Sequence, residues 1–169
     1  DGHGFIGTAR AAGAIGALVD ATYGGERWGA LVQVQDTTVG LQELAHAVRR
    51  ASGARVVAIT GSAGKTTTKD ATAALLATTC RVVKNHGNLN NHIGLPLSLL
   101  QLRTSPDVAV MELGMNHAGE ISRLVAIAEP DARVWTNVGD AHLGFFASLD
   151  AIADAKAEIL EGADAGTCL

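Results

Sequence analysis

Val56-Val57-Ala58-Ile59-Thr60-Gly61-Ser62-Ala63-Gly64-Lys65-Thr66-Thr67-Thr68 decides how this chain reads. A run of apolar, mostly β-branched residues gives way to two glycines, a lysine and several hydroxyl side chains. The helix-favouring Lys69-Asp70-Ala71-Thr72-Ala73-Ala74-Leu75-Leu76 follows. The order is strand, phosphate loop, helix. Gly61 and Gly64 let the backbone turn tightly and bring its N–H groups against phosphate oxygens, while the helix offers the positive end of its dipole to the same anion. Gly61, Ser62, Ala63, Gly64, Lys65, Thr66 and Thr67 are therefore the expected nucleotide cradle, with Lys65 reaching the β/γ-phosphates and the Thr66 hydroxyl on Mg²⁺. One departure stands out: a strict Walker A motif has glycine where this chain has Ile59. The bland alternative is a glycine-rich strand-to-helix turn with a solvated lysine.

Downstream of the loop, strands and helices alternate, which predicts an α/β fold with a P-loop-type parallel sheet and helices on both faces. A strand at 81–84 leads into the polar loop His86-Gly87-Asn88-Leu89-Asn90-Asn91-His92. A helix over about 94–102 follows, with Pro96 in its first turn, where a missing N–H does no harm. Asp107-Val108-Ala109-Val110-Met111-Glu112 reads as a buried strand ending in an acid, and Ala132-Arg133-Val134-Trp135-Thr136 as a further strand. Ile121, Leu124, Val125 and Ala128 mark an amphipathic helix between them. Ligands in such sheets collect at the carboxyl ends of strands. Thr60-Gly61, Glu112-Leu113-Gly114 and the segment 137–142 all lie at such ends and can converge on one crevice.

Upstream, residues 1–52 read as part of a small α/β domain, and 53–169 as the nucleotide-binding part, divided at Ser52-Gly53. The first part should hold a helix over 8–14, strands at 16–20 and 30–34, and a helix over about 39–51 whose apolar face is Leu41, Leu44, Ala45 and Val48. His3 and His46 are expected at the surface.

The 169 residues carry a formal charge of -4, with 47% hydrophobic residues and a mean hydropathy of +0.20. That balance argues against disorder, and with no Lys/Arg cluster it argues against nucleic acid as a partner. No apolar run approaches the roughly 18 residues of a membrane span, and the N-terminus lacks the basic region of a signal peptide. Cys80 and Cys168 fit no metal spacing and read as free thiols of a cytoplasmic protein, with Cys80 in the core. The chain's ends look cut, since Asp1 is no initiator and Gly166-Thr167-Cys168-Leu169 resembles the opening of a strand.

Several residues could carry chemistry. Glu112 closes an apolar strand where nucleotide-binding folds place a carboxylate for Mg²⁺; the alternative is an acid capping a loop. Chemistry alone leaves His142 open, because Mg²⁺ prefers oxygen and Asp140 is the more conventional ligand nearby. Lys156 follows Leu149, Ile152 and Ala153 at helical spacing, on the face that helix should bury. A buried amine must be paired, neutralised or modified, unless it snorkels along the edge. Asn88, Asn90 and Asn91 offer uncharged donors and acceptors for a polar substrate, or simply build a turn-rich loop.

Five of these segments, in order, resemble the motifs of the Mur ligases. They are Thr60 to Thr68, Gly87-Asn88-Leu89-Asn90-Asn91, Glu112-Leu113-Gly114-Met115-Asn116-His117, Asn137-Val138-Gly139-Asp140-Ala141-His142 and Ala155-Lys156-Ala157-Glu158-Ile159. The opening Asp1-Gly2-His3-Gly4-Phe5-Ile6 also resembles the end of the family's N-terminal substrate-binding motif, although Gly4 stands where an acid is common. The resemblance implies an ATP-dependent amide ligase of peptidoglycan precursor synthesis, with residues 53–169 as an incomplete central domain and the C-terminal domain absent. It implies that Thr66, Glu112, His142 and Lys156 serve Mg²⁺, and that Lys156 is carbamylated by CO₂, which turns a cation into an oxygen donor. Lys65, Lys156 and His142 would then be the catalytic set. The asparagine loop and the Met-Asn-His segment look most like the branch acting on UDP-N-acetylmuramoyl-tripeptide and D-alanyl-D-alanine, so Asn88, Asn90 and Asn91 are expected at substrate. The rival readings are a sibling ligase (third-residue-adding, cyanophycin or folylpolyglutamate synthetase) and a non-catalytic nucleotide-binding module. With the family's ATP-closing C-terminal domain missing, the chain alone should have little or no turnover.

Overall fold

The computed structural model describes residues 2–141 and 144–163. A four-stranded parallel sheet is built from β3 (Arg55–Thr60), β4 (Val82–Lys84), β5 (Val108–Glu112) and β6 (Ala132–Trp135), in the order β4-β5-β3-β6. Val57 of β3 stands opposite Val110 of β5 and Ala132 of β6, so all the strands run their carboxyl ends to one edge. The two inner strands, β3 and β5, are buried on both sides, as their apolar runs require, while the edge strands β4 and β6 are largely half-buried. Val56, Ala58, Ala109 and Met111 point into one core, and Ile59 and Val110 into another.

The two cores follow from the helices. α3 (Lys65–Leu76) lays Ala73 and Leu76 on the face of Ile59 and Val110. The opposite face is covered by α2 (Thr37–Ser52), α4 (Gly94–Leu99), α5 (Glu120–Ala128) and α6 (Leu149–Ala157), which contribute Ala45, Leu95, Leu99, Ile121, Leu124 and Ile152 to the larger core. The helices on both faces that the alternating pattern predicts are thus present. All four apolar residues predicted to face inward from α5 are buried.

A second, two-stranded parallel sheet joins β1 (Gly16–Asp20) to β2 (Ala30–Val34), behind a 3-10 turn (Gly2–Phe5) and α1 (Ile6–Ala11). α2 packs on β1 of the small sheet and, on its other side, on α4 and α5 of the large core. Asp36 caps it by accepting from the N–H groups of Thr38 and Val39, and it ends at Gly53 in the left-handed region (φ 65°). Gly40 sits where a Cβ would press Leu18 and Val34 of the small sheet, while Ala45 is fully buried in the large core. At its end the Arg49 guanidinium donates to the carbonyls of Ala54, Ala128 and Glu129 and to Asp131.

Some sequence expectations are corrected here. Leu44 is 50% exposed, and the buried face of α2 is Gly40, Gln42 and Ala45. The helix has neighbours on two sides, so its buried stripe is not centred on the most apolar residues. Cys80 is half-buried rather than core, because it falls in the turn after α3. His3 is partly buried, stacked on Tyr23 and accepting from the Asp20 N–H, rather than at the surface. The first helix begins at Ile6 rather than Thr8, and the one from Gly94 passes into a 3-10 turn over Leu100–Thr104. Leu149 is 45% exposed, its expected place on the buried face of α6 being taken by Ala155. Cys168 lies outside the described residues. No helix among the described residues is long and apolar enough to cross a membrane.

Candidate active site

The loop between β3 and α3 is held open by the segment leaving β6. Gly61 has φ 148°, and any Cβ there would strike the Thr136 hydroxyl, so only glycine fits. The Ser62 N–H donates to the Asn137 carbonyl (3.1 Å), and the Ser62 hydroxyl both donates to the Gly139 carbonyl and accepts from its N–H. The Asn137 amide grips both backbone groups of Ala63, whose carbonyl also accepts from Thr136 (2.7 Å). Nothing stands within 4 Å of a Cβ built on Gly64, which is left-handed (φ 79°) and precedes α3. No side chain caps that helix, and its first N–H groups have no acceptor within the helix. A rigid cradle with unsatisfied donors facing open space fits a triphosphate. The Lys65 ammonium rests on the Gly61 carbonyl at 2.7 Å, folded over the loop it would leave to meet an anion.

Glu112, 3% exposed at the end of β5, is the second part of the site. One carboxylate oxygen accepts from the Thr66 hydroxyl at 2.8 Å, and the other from the Asn90 amide at 2.8 Å. The Lys69 ammonium lies 3.8 Å from the Thr66-bound oxygen. Fully buried Asn85 fixes the backbone behind it, accepting from the Glu112 N–H and donating to the carbonyls of Glu112 and Leu89. The sequence reading missed both Lys69 and Asn85. Lys69 was legible as one helical turn beyond Lys65; Asn85 gave no signal, since its role depends on pairing across to the neighbouring strand end.

The asparagine loop divides its duties. Asn90 holds Glu112, and Asn91 starts α4 by accepting from the N–H groups of Ile93 and Gly94. Asn88 is exposed and makes no side-chain hydrogen bond among the described residues. The Thr66 hydroxyl and the Glu112 carboxylate form a hard-oxygen pair at the mouth of the cradle, the donor type Mg²⁺ takes. Among the described residues no three His, Cys, Asp or Glu side chains cluster to hold a metal, so phosphate and water oxygens would have to complete its shell.

Lys156 in α6 is 1% exposed, beside Ile152, Ala155 and Ile159. Burial, and then the nearby Lys65 charge, pull its pKa down from 10.5 to about 8. No acceptor among the described residues pairs with its ammonium. Because Lys65 acts on it electrostatically, Lys156 belongs to the same neighbourhood as the phosphate loop. Asp140 is exposed. His142 lies outside the described residues.

Comparison with known proteins adds to this geometry. Residues 59–169 match the family model described as the Mur ligase middle domain. The chain is 45% identical, over 163 residues, to the UDP-N-acetylmuramoyl-tripeptide--D-alanyl-D-alanine ligase of Bacillus subtilis, covering 96% of this chain and 36% of that protein. It superposes on MurF from Acinetobacter baumannii with a TM-score of 0.85 and 38% identity, over 100% of this chain and 36% of that one. With MurF ligase from Thermotoga maritima in complex with ADP the TM-score is 0.83 and the identity 37%, over 95% of this chain and 37% of that one. The chain thus spans about a third of the length of the relatives it matches. With a family model over more than half its residues and nearly all of the chain superposing on part of solved members, this chain belongs to the Mur ligase family.

Proposed function

We propose that this chain is the nucleotide-gripping part of an ATP-dependent ligase that joins D-alanyl-D-alanine to UDP-N-acetylmuramoyl-tripeptide, a step of cytoplasmic peptidoglycan precursor synthesis. The observation that carries the reading is the uncapped phosphate loop with Thr66 bonded to Glu112 at its mouth and a buried lysine, Lys156, within electrostatic reach of Lys65. The choice of substrates rests on the names of the relatives that cover nearly all of the chain. In this reading residues 1–52 are the end of a substrate-binding domain, and 53–169 the start of the central ATP-binding domain.

The chemistry runs in two steps. A terminal carboxylate oxygen of the tripeptide attacks the γ-phosphorus of ATP, forming an acyl phosphate and releasing ADP. The amine of the dipeptide then attacks the acyl carbon, forming the amide and releasing phosphate. Negative charge gathers on the transferring phosphoryl oxygens, and here Lys65 swings from the Gly61 carbonyl to meet it together with the loop N–H groups. Thr66, Glu112, His142 and Lys156 would hold Mg²⁺, which supplies charge neutralisation between the phosphates. Asn88 is the loop residue left to meet substrate, while Asn90 and Asn91 shape the loop.

Lys156 fits carbamylation. CO₂ reacts with the free amine, forming an N–C bond and releasing a proton, and a pKa of about 8 leaves about a tenth of the amine free at neutral pH. An unpaired, buried ammonium is thereby exchanged for an anion, which the Lys65 charge favours rather than opposes. The test is phosphate release by the full-length protein. Release should require ATP, the UDP-linked tripeptide and D-alanyl-D-alanine together, whereas release independent of the dipeptide refutes the reading. This chain alone should bind nucleotide and turn over little; robust amide formation by it refutes that expectation.

A further inference from the structure

Lys69 is 2% exposed, and two carboxylates lie within reach of its ammonium: Glu112 at 3.8 Å and Asp70 at 3.9 Å. They are not equivalent. Asp70 is exposed and already bound by Lys84 at 2.8 Å, while the Glu112 side chain is 5% exposed. The Lys69 charge is therefore matched by Glu112, in a place water screens poorly. Thr66 and Asn90 fix the two oxygens of the same carboxylate, so its orientation is set by two hydrogen bonds and one ion pair, from α3 (Thr66 and Lys69) and from the loop after β4 (Asn90).

We propose that Lys69 is a positioning residue that serves as the resident counter-cation of Glu112, holding that carboxylate aimed at the cradle and making divalent-ion loading depend on nucleotide. The inference rests on the function proposed above. A unit charge this close offsets much of the pull a lone carboxylate has on a second cation. With the Glu112 charge matched by Lys69 and the Lys65 ammonium held on the phosphate loop, Mg²⁺ alone finds little attraction; the phosphates supply the negative charge that brings it in. Ordered loading follows, with metal and nucleotide entering as one unit.

The test is thermal melting of this chain in EDTA, in excess Mg²⁺ and in Mg²⁺ with ADP. The wild type should melt alike in EDTA and in Mg²⁺, and higher with Mg²⁺ and ADP. Lys69→Met, which keeps the length and removes the charge, should melt lower in EDTA and regain ~3 °C or more with Mg²⁺ alone. Lys69→Arg should behave as wild type. A merely structural lysine predicts the same loss for Lys69→Met in EDTA and in Mg²⁺, and that result overturns the inference. If Lys69→Met folds in neither buffer, Lys69→Gln, which can still donate a hydrogen bond, decides by the same criterion. Failure of the wild type to respond to Mg²⁺ with ADP overturns the functional reading and this inference together. A normal wild-type response without the Mg²⁺ gain in the variant overturns the inference alone.

Discussion

Replacing Lys156 by Met should stabilise the nucleotide-free chain, and the gain should depend on pH in one direction. The wild-type lysine is 1% exposed, has no acceptor among the described residues, and titrates at about 8 rather than 10.5. Burial is the main cause, and the Lys65 charge adds to it. Such a lowering corresponds to about 3 kcal/mol of native-state cost for carrying the proton. Below pH 8 the folded and unfolded chains both hold the proton, and the whole cost is present. Between about 8 and 10.5 the unfolded chain binds more protons than the folded one, so wild-type stability rises with pH and the cost fades. Urea unfolding in CO₂-depleted, metal-free buffer should therefore show Lys156→Met more stable by up to ~3 kcal/mol at pH 7, shrinking as pH rises and vanishing only above about 10.5. Bicarbonate should stabilise the wild type and leave Lys156→Met unchanged. A variant less stable than wild type at pH 7, or a gain independent of pH, refutes the assignment of Lys156 as an uncompensated buried amine.

Two further substitutions separate the site from its scaffold. Gly61→Ala drives a Cβ into Thr136 and must displace the loop, so equilibrium dialysis with ADP should show at least ~tenfold weaker binding, while circular dichroism shows the fold retained. Gln42→Leu removes the buried acceptor of the Arg123 Nε and Nη2 groups and the donor to the His92 carbonyl; it should cost ~1–3 kcal/mol in urea unfolding with the ADP affinity unchanged.

The central sheet was legible because its two inner strands, β3 and β5, are short apolar runs buried on both faces, a pattern that survives in one dimension. The phosphate loop was legible because glycine at positions 61 and 64 answers a local demand: both take positive φ, 148° and 79°. The face of α2 was misread for the opposite reason. Leu44 is apolar but points outward, while polar Gln42 is buried because Arg123 and the His92 carbonyl satisfy it. Cys80 was misplaced because residue type alone says nothing about a turn's depth.

By itself the sequence determined the order of strands and helices, the glycine-rich loop between β3 and α3, and that an acid ends β5 and a lysine lies on the buried face of α6. These are short-range properties, set by side-chain periodicity and backbone conformation. Only the tertiary structure decided which partners Glu112 keeps. Thr66 and Lys69 come from α3, Asn90 from the loop after β4, and Asn85 from that strand's end. Their distances depend on the register of parallel strands whose neighbours are far apart along the chain, and hydrogen bonds and charges act only across the few ångströms that folding creates.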